Sequence, residues 1–219
     1  MILSYSRARH FYDHFGKKQD SQAFYEDAAL DELVAHAGFE EAKNVFEFGC
    51  GTGRFAHRLL GDLLPSEARY VGVDISSTML NLARERLSTF AGRVELIESL
   101  GPIQFPLEDN SVDRVVSTYV LDLLSTWDIH RFLDEARRVL VPGGKLALIS
   151  LTPGFNLRTR ILISIWCGLY WLRPSLVGGC RPIRLASSLD ESHWMVEYTQ
   201  KVTRYCVPSE VLVATPKEP

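Results

Sequence analysis

The stretch that decides the fold is VFEFGCGTGRFA, residues 45–56. Val45, Phe46, Glu47 and Phe48 have strand propensity and run directly into glycines at every second position, Gly49, Gly51 and Gly53. Arg54, Phe55 and Ala56 then open a run that suits a helix. Strand, tight turn and helix start follow one another without a break, the local grammar of an α/β chain. Glycine serves such a bend because the turn needs backbone angles that a Cβ forbids, and because a ligand can then lie directly against the main chain.

The spacing discriminates between ligands. A dinucleotide fingerprint has the pattern G-x-G-x-x-G, with the pyrophosphate resting on amides at the helix N-terminus. Here Arg54 stands where the third glycine belongs, and the pattern is G-x-G-x-G with Glu47 just ahead of it. A carboxylate so close repels pyrophosphate and attracts a ligand that carries positive charge. The next strand, read over residues 69–73, ends in Asp74. It lies roughly 20 residues beyond the glycines, where an acid takes both ribose hydroxyls. A nucleoside with a cationic amino-acid arm fits this layout better than a nicotinamide dinucleotide.

Four segments carry a wider likeness: EFGCGTG at 47–53, VGVDIS at 71–76, FPLEDNSVDRVVSTYVLDLL at 105–124 and RRVLVPGGKLALIS at 137–150. In order and spacing they resemble the successive motifs of class I S-adenosylmethionine-dependent methyltransferases, nearest to the small-molecule branch that includes the quinone-biosynthesis enzymes. The likeness is strong over residues 45–150 and loose elsewhere. It implies a Rossmann-like three-layer sandwich with a mostly parallel seven-stranded sheet and an antiparallel C-terminal edge hairpin. It implies one domain over residues 1–219: a helical lid at 1–40, the cofactor core at 41–151, an acceptor-side helical insertion at 152–192 and closing strands at 193–219. The implied cofactor is S-adenosylmethionine, leaving as S-adenosylhomocysteine. Glu47 is expected at its amino-acid end, Gly49, Cys50, Gly51 and Gly53 beneath it, Asp74 on the ribose and Ile75 on adenine, with Ser117 and Tyr12 completing the set. The family usually offers an acid to the adenine amino group, and the matching place here is Leu100, so either Ser99 or the backbone at Leu100 and Gly101 takes that part, or the site holds adenine more loosely than its relatives do.

The remaining elements are read from pattern. Residues 52–64 suit a first crossover helix stopped by Pro65, and Ser76 or Ser77 caps the next, with Met79, Leu80, Ala83 and Leu87 inward. Residues 93–97 and 112–117 read as the third and fourth strands. Ser125 and Asp128 make a capping-box-like start to a helix whose apolar residues recur up to Pro142-Gly143-Gly144, after which 145–151 is the fifth strand. Residues 194–205 and 210–215 alternate as two antiparallel strands.

Two segments stay open. Phe11, Tyr12 and Phe15 either plug the core or, as the resemblance implies, fold over the cofactor, where an aromatic face attracts a cation. ILISIWCGLYWL, residues 161–172, is apolar all round. As a helix it spans about 18 Å, against a hydrocarbon layer of about 30 Å, so it does not cross a membrane. A buried helix over the sheet is the ordinary reading. A wall of the acceptor pocket, a dimer face and a surface resting on lipid are the others. Arg181 and Arg184 follow in a Gly/Pro loop, either solvated or holding an acceptor's carboxylate or phosphate.

Net charge is −3 without any block of Lys or Arg, which advertises no grip on nucleic acid. Cys50, Cys167, Cys180 and Cys206 form no metal or redox pair, and the six histidines share no ligand spacing, so no metal is expected. Reduced thiols and the lack of a signal-like N-terminus fit a cytoplasmic protein. A methyl on a sulfonium is already activated, so the enzyme needs mainly to align its reactants and exclude water. A general base matters only for an alcohol or phenol acceptor; Asp122 and Tyr119, beyond the fourth strand, are the candidates, although Asp122 also suits a helix cap. The partner is then a small, partly apolar acceptor. A protein that binds the cofactor without transfer, and a methyltransferase for RNA or protein, are the alternatives. The oligomeric state is not written in the sequence.

Overall fold

The structure, a computed structural model, describes residues 2–217; residue 1 and residues 218–219, the outer ends of the expected lid and closing strands, lie outside the described residues. Five parallel strands, β1 Asn44–Phe48, β2 Arg69–Asp74, β3 Val94–Glu98, β4 Val112–Thr118 and β5 Leu140–Leu151, run in the order β3-β2-β1-β4-β5. β6 Trp194–Arg204 and β7 Val207–Pro216 complete a seven-stranded sheet, with β7 inserted antiparallel between β5 and β6. Chain order reverses between β1 and β4. That switch point is where open α/β sheets leave a crevice for ligands.

The central strands are apolar on both faces because helices cover both. Val45 and Val116 join a core with α2 Ala23–Ala37 and α3 Arg54–Arg58, while their neighbours Phe46 and Val115 join another with α5 Thr126–Val139. Successive side chains go to opposite faces, as the pleat requires. α5 starts at Ser125, whose Oγ accepts the Asp128 amide at 3.0 Å. α4 Ser77–Arg86 starts at Ser76 in the same way, from the Met79 amide at 3.2 Å.

Three expectations need correction. The crossover helix read over 52–64 is α-helical only in α3 and continues as a π-helical turn, Leu59–Leu63, with the Leu64 amide on the Leu59 carbonyl at 2.8 Å. The wider turn keeps Leu59, Leu60 and Leu64 all buried ahead of Pro65. β5 begins at Leu140 rather than 145: its pairing with β4 shifts between Val112 and Arg114, and Gly143 absorbs the irregularity at φ +75°. Finally α6 Leu157–Leu172 is not a buried helix. It rests on β7 and the turn that follows it, and only Thr159, Ile163 and Tyr170 are buried.

Candidate active site

The glycine bend lies at the tip of β1. Gly49, Gly51 and Gly53 have φ of +81°, +53° and +72°, the left-handed region that a side chain resists. A Cβ on Gly49 would sit 2.2 Å from Val120 Cγ2, so the bend is closed on that side. A Cβ on Gly51 would meet nothing within 4 Å, so its bare backbone faces open space. The Gly51 amide donates to Asp74 Oδ2 at 2.9 Å, and the Ser76 amide donates to Oδ1 at 2.8 Å. Burial pushes the Asp74 carboxyl up to about 6, against the downward pull of those amides.

Beside this bend is a cavity of about 450 Å³. Its floor is Phe48, Gly49, Gly51, Asp74 and Ile75; Ser99 and Gly101 form one side and Tyr119 another. Its roof comes from the N-terminal segment, through Tyr5, Ala8 and Tyr12 of α1 Tyr5–Phe15 and Gln19 beyond it. The roof is tied down on each side. Arg9 Nε donates to the Ile75 carbonyl at 2.9 Å, and a second guanidinium nitrogen donates to the Ser99 carbonyl at 3.1 Å. The Ser76 hydroxyl donates to Asp13 at 2.6 Å, and the Tyr5 hydroxyl donates to Asp128 at 2.6 Å. Asp20 accepts from the Thr52 hydroxyl at 2.6 Å and from Arg86 at 2.5 Å.

Glu47 lies deeper, 1% exposed, and accepts the Tyr70 hydroxyl at 2.5 Å. Burial raises it to about 7 despite that bond. It lines a recess of about 60 Å³ with Gln19, Glu26 and Arg54. Gly49, Gly51 and Tyr119 line both recess and cavity, so the two adjoin along the glycine backbone. Gln19 Oε1 is buried there with no hydrogen-bond partner among the described residues.

Of the residues singled out from sequence, Gly49, Gly51, Asp74, Ile75, Tyr12 and Tyr119 meet at the cavity, while Glu47 and Cys50 meet at the recess. Four line neither. The Leu100 side chain turns out to solvent at 86% exposed, leaving Ser99 and Gly101 as wall. Ser117 donates its hydroxyl to the Phe48 carbonyl at 2.9 Å and ties β4 to β1. Gly53 instead lets α4 approach, since a Cβ there would lie 3.1 Å from Ala83 Cβ.

Asp122 is the fourth, 1% exposed and behind the wall. Its Oδ2 accepts the Leu151 amide at 3.2 Å, its backbone carbonyl accepts the Arg181 amide at 3.1 Å, and burial raises its carboxyl to about 7. Asp122 therefore anchors the loop containing Arg181 to the sheet. The Arg181 guanidinium itself donates to the Leu124 carbonyl at 2.5 Å. Tyr119, at φ +56°, shares a hydrogen bond of 2.7 Å with Ser209. The Tyr12 hydroxyl donates to the Gly178 carbonyl at 3.4 Å.

The ties made by Arg9, Asp13, Asp20 and Tyr5 are absent from the sequence reading. Their one local signal is a set of charged and aromatic residues on a segment too short to bury a core of its own.

Comparison with known proteins agrees with this geometry. Residues 45–144 match the sequence model of the methyltransferase domain. The chain is 31% identical to a malonyl-[acyl-carrier protein] O-methyltransferase of Marinomonas sp. over 69% of its length and 54% of that protein. It is 36% identical to a demethylmenaquinone methyltransferase of Chlamydia pneumoniae over 50% of its length and 45% of that protein. It thus spans about half the length of these curated relatives, and 3% of a hybrid PKS-NRPS synthetase of Penicillium citrinum to which it is 34% identical. Among solved structures, the [4+2]-cyclase SpnF superposes with a TM-score of 0.72 at 17% identity, covering 98% of this chain and 97% of that one. The fold is therefore the Rossmann-like methyltransferase sandwich. Over residues 45–144 the chain carries a methyltransferase domain.

Proposed function

We propose that this protein transfers a methyl group from S-adenosylmethionine to a small, partly apolar acceptor held in the cavity beneath α1. The observation that carries the reading is the bare backbone of Gly51, which opens onto that cavity while its amide fixes the Asp74 carboxylate beside it. A cavity of about 450 Å³ falls in the ~300–1,000 Å³ range of small-ligand sites.

The residues fit that cofactor in charge as well as in shape. Asp74 keeps lone pairs for ribose hydroxyls, and Ile75 offers an apolar face to adenine beside Ser99. Glu47 and the unpartnered Gln19 oxygen give the amino-acid end acceptors for its ammonium group. When bound, the cofactor supplies a methyl group already activated by its sulfonium charge. The protein's own part is alignment and dryness. The tied-down roof keeps water from the cavity, and the apolar rings of Phe48, Tyr12 and Tyr119 surround the reacting centre. Tyr119 is the polar group that faces the acceptor. Asp122 acts through position, holding the Arg181 loop against the sheet. A cytoplasmic setting and an acceptor other than nucleic acid belong to the same reading, which the thiol count and net charge support.

A second reading keeps the cofactor and changes the chemistry, because a neighbour of the same fold, SpnF, is named a cyclase. Calorimetry with S-adenosylhomocysteine tests the shared part: micromolar affinity is expected, with a loss of about tenfold or more in Asp74→Ala, roughly the cost of one charge-assisted hydrogen bond. Unchanged affinity in that variant removes the assignment of Asp74. Methyl-labelled cofactor incubated with a panel of phenols, quinols and fatty acids then separates transfer from mere binding.

A further inference from the structure

We infer that the outer face of α6 docks this protein on an anionic membrane surface. Leu157, Ile161, Ile165, Leu169, Trp171 and Leu172 are all exposed, Trp171 at 81%. At 100° per residue they share one arc of about 160°, opposite the buried Thr159, Ile163 and Tyr170. This is the reverse of an ordinary surface helix: the apolar stripe points away from the core. Among the described residues no helix is long and apolar enough to cross a membrane, which leaves a helix that lies in the interface plane.

Charge identifies the occupant. The chain as a whole is net negative, yet residues 153–189 contain five arginines, at 158, 160, 173, 181 and 184, and no Asp or Glu. Arg158, Arg160 and Arg173 are exposed at the ends of the apolar arc, where their stems lie along apolar surface and their heads reach phosphates. The basic rim continues onto α1. A groove lined by Arg7, Lys18, Arg173 and two histidines runs between α1 and the end of α6. A second copy of the chain is a poor occupant, because pairing two such faces brings like charges together. RNA leaves the aliphatic centre of the arc uncovered.

The placement has a consequence for access. Ile2 and Leu3 line both this groove and the cavity beneath α1, so the docked face leads to the cavity wall. Delivery of an apolar acceptor by that route rests on the proposed methyl transfer; the docking itself does not.

Flotation with phosphatidylcholine vesicles, with and without about 30% phosphatidylglycerol, is the test. The protein is expected to float with the anionic vesicles alone and to be released by about 0.5 M salt. Ile165→Glu combined with Trp171→Glu, and separately Arg158→Glu combined with Arg160→Glu, should each weaken binding about tenfold or more, while Met195→Glu on β6 should not. A blue shift of tryptophan emission on adding vesicles, lost in Trp171→Phe, reads the same contact without a disruptive variant. Absence of binding to anionic vesicles overturns the inference. So does equal flotation of the Ile165/Trp171 variant, a dimer that this variant dissociates, or capture of single-stranded RNA in place of vesicles.

Discussion

Asp74 commits both oxygens to backbone amides, Gly51 on one side and Ser76 on the other, and so holds the glycine bend to the helix that follows β2. The same oxygens retain free lone pairs toward the cavity, and only the ionised form has enough of them for amides and ribose together. With its carboxyl raised to about 6 by burial, Asp74 is mostly charged at pH 7 and mostly neutral at pH 5. Affinity for S-adenosylhomocysteine should therefore fall about tenfold between those two values, the change in ionised fraction across one unit either side of the midpoint. Titration calorimetry across that range checks it, and Asp74→Asn should flatten the profile. A wild-type profile that is already flat assigns the acid to another group. Glu47 makes a different prediction. Its carboxyl accepts the Tyr70 hydroxyl, so Tyr70→Phe should cost about 1–3 kcal/mol in denaturant unfolding, the usual price of a stranded buried acceptor. Glu47 is readable because it stands just ahead of the glycine turn, and Asp74 because it ends the next strand, roughly 20 residues on, where a ribose-binding acid is looked for. Arg9 and Asp13 are not, since the groups they bind lie 66 and 63 residues further along the chain.

At the scale of elements, the N-terminal segment is a strap across the crevice. α1 buries no residue completely, so it stays in place through ties at its ends and middle rather than through a core of its own. The tie nearest the recess is Asp20, shared between Thr52 and Arg86. Asp20→Ala should free that end of the strap and leave the sheet intact. The expected signature is faster S-adenosylhomocysteine release, about tenfold, together with tryptic cleavage at Lys17 or Lys18 that bound ligand suppresses. Equal cleavage rates in wild type and variant would show that the strap is held elsewhere. The central strands are legible because their strand formers cluster, Val45, Phe46 and Phe48 in β1 and Val112, Val115 and Val116 in β4, and because Gly49 marks the end of β1. The first crossover helix was legible in position but not in form: no local pattern announces that Leu59, Leu60 and Leu64 need a wider turn to share one side. The exposure of α6 is illegible for a related reason. A helix apolar all round tells that both faces avoid water, and nothing in its spacing tells which face the protein itself covers.

Over the whole molecule the buried acids set an uncommon dependence of stability on pH. Glu47 and Asp122 are each 1% exposed, and burial holds both carboxyls near 7, well above their values in the unfolded chain. Glu26 is raised to about 7 by the same cause, although Arg54 pairs with it at 2.8 Å. Between about pH 4 and pH 7 the folded state therefore binds more protons than the unfolded one, and stability declines as pH rises through that window. Asp13 and Asp20 act in the opposite sense: burial is outweighed by hydrogen bonds from Ser76 and Arg86, their carboxyls sit low, and their contribution is lost only on acidification below about pH 4. Free of ligand, the protein should thus be most stable near pH 4, with a melting temperature several degrees lower at pH 8, at about 2–4 °C per kcal/mol for a chain of this size. Bound S-adenosylhomocysteine should shift melting in the other direction, since Asp74 takes it best when ionised, and at a hundredfold excess over Kd it stabilises by about 2.7 kcal/mol. Scanning calorimetry at both pH values, with and without ligand, reads the two slopes in one set of samples. Glu47→Gln combined with Asp122→Asn should make the ligand-free slope shallower, Glu26 and Asp74 keeping the remainder, while the ligand-induced shift still grows with pH. If the ligand-free slope is unchanged in that variant, Glu47 and Asp122 do not carry their share of the protons and the electrostatic account of this core is wrong.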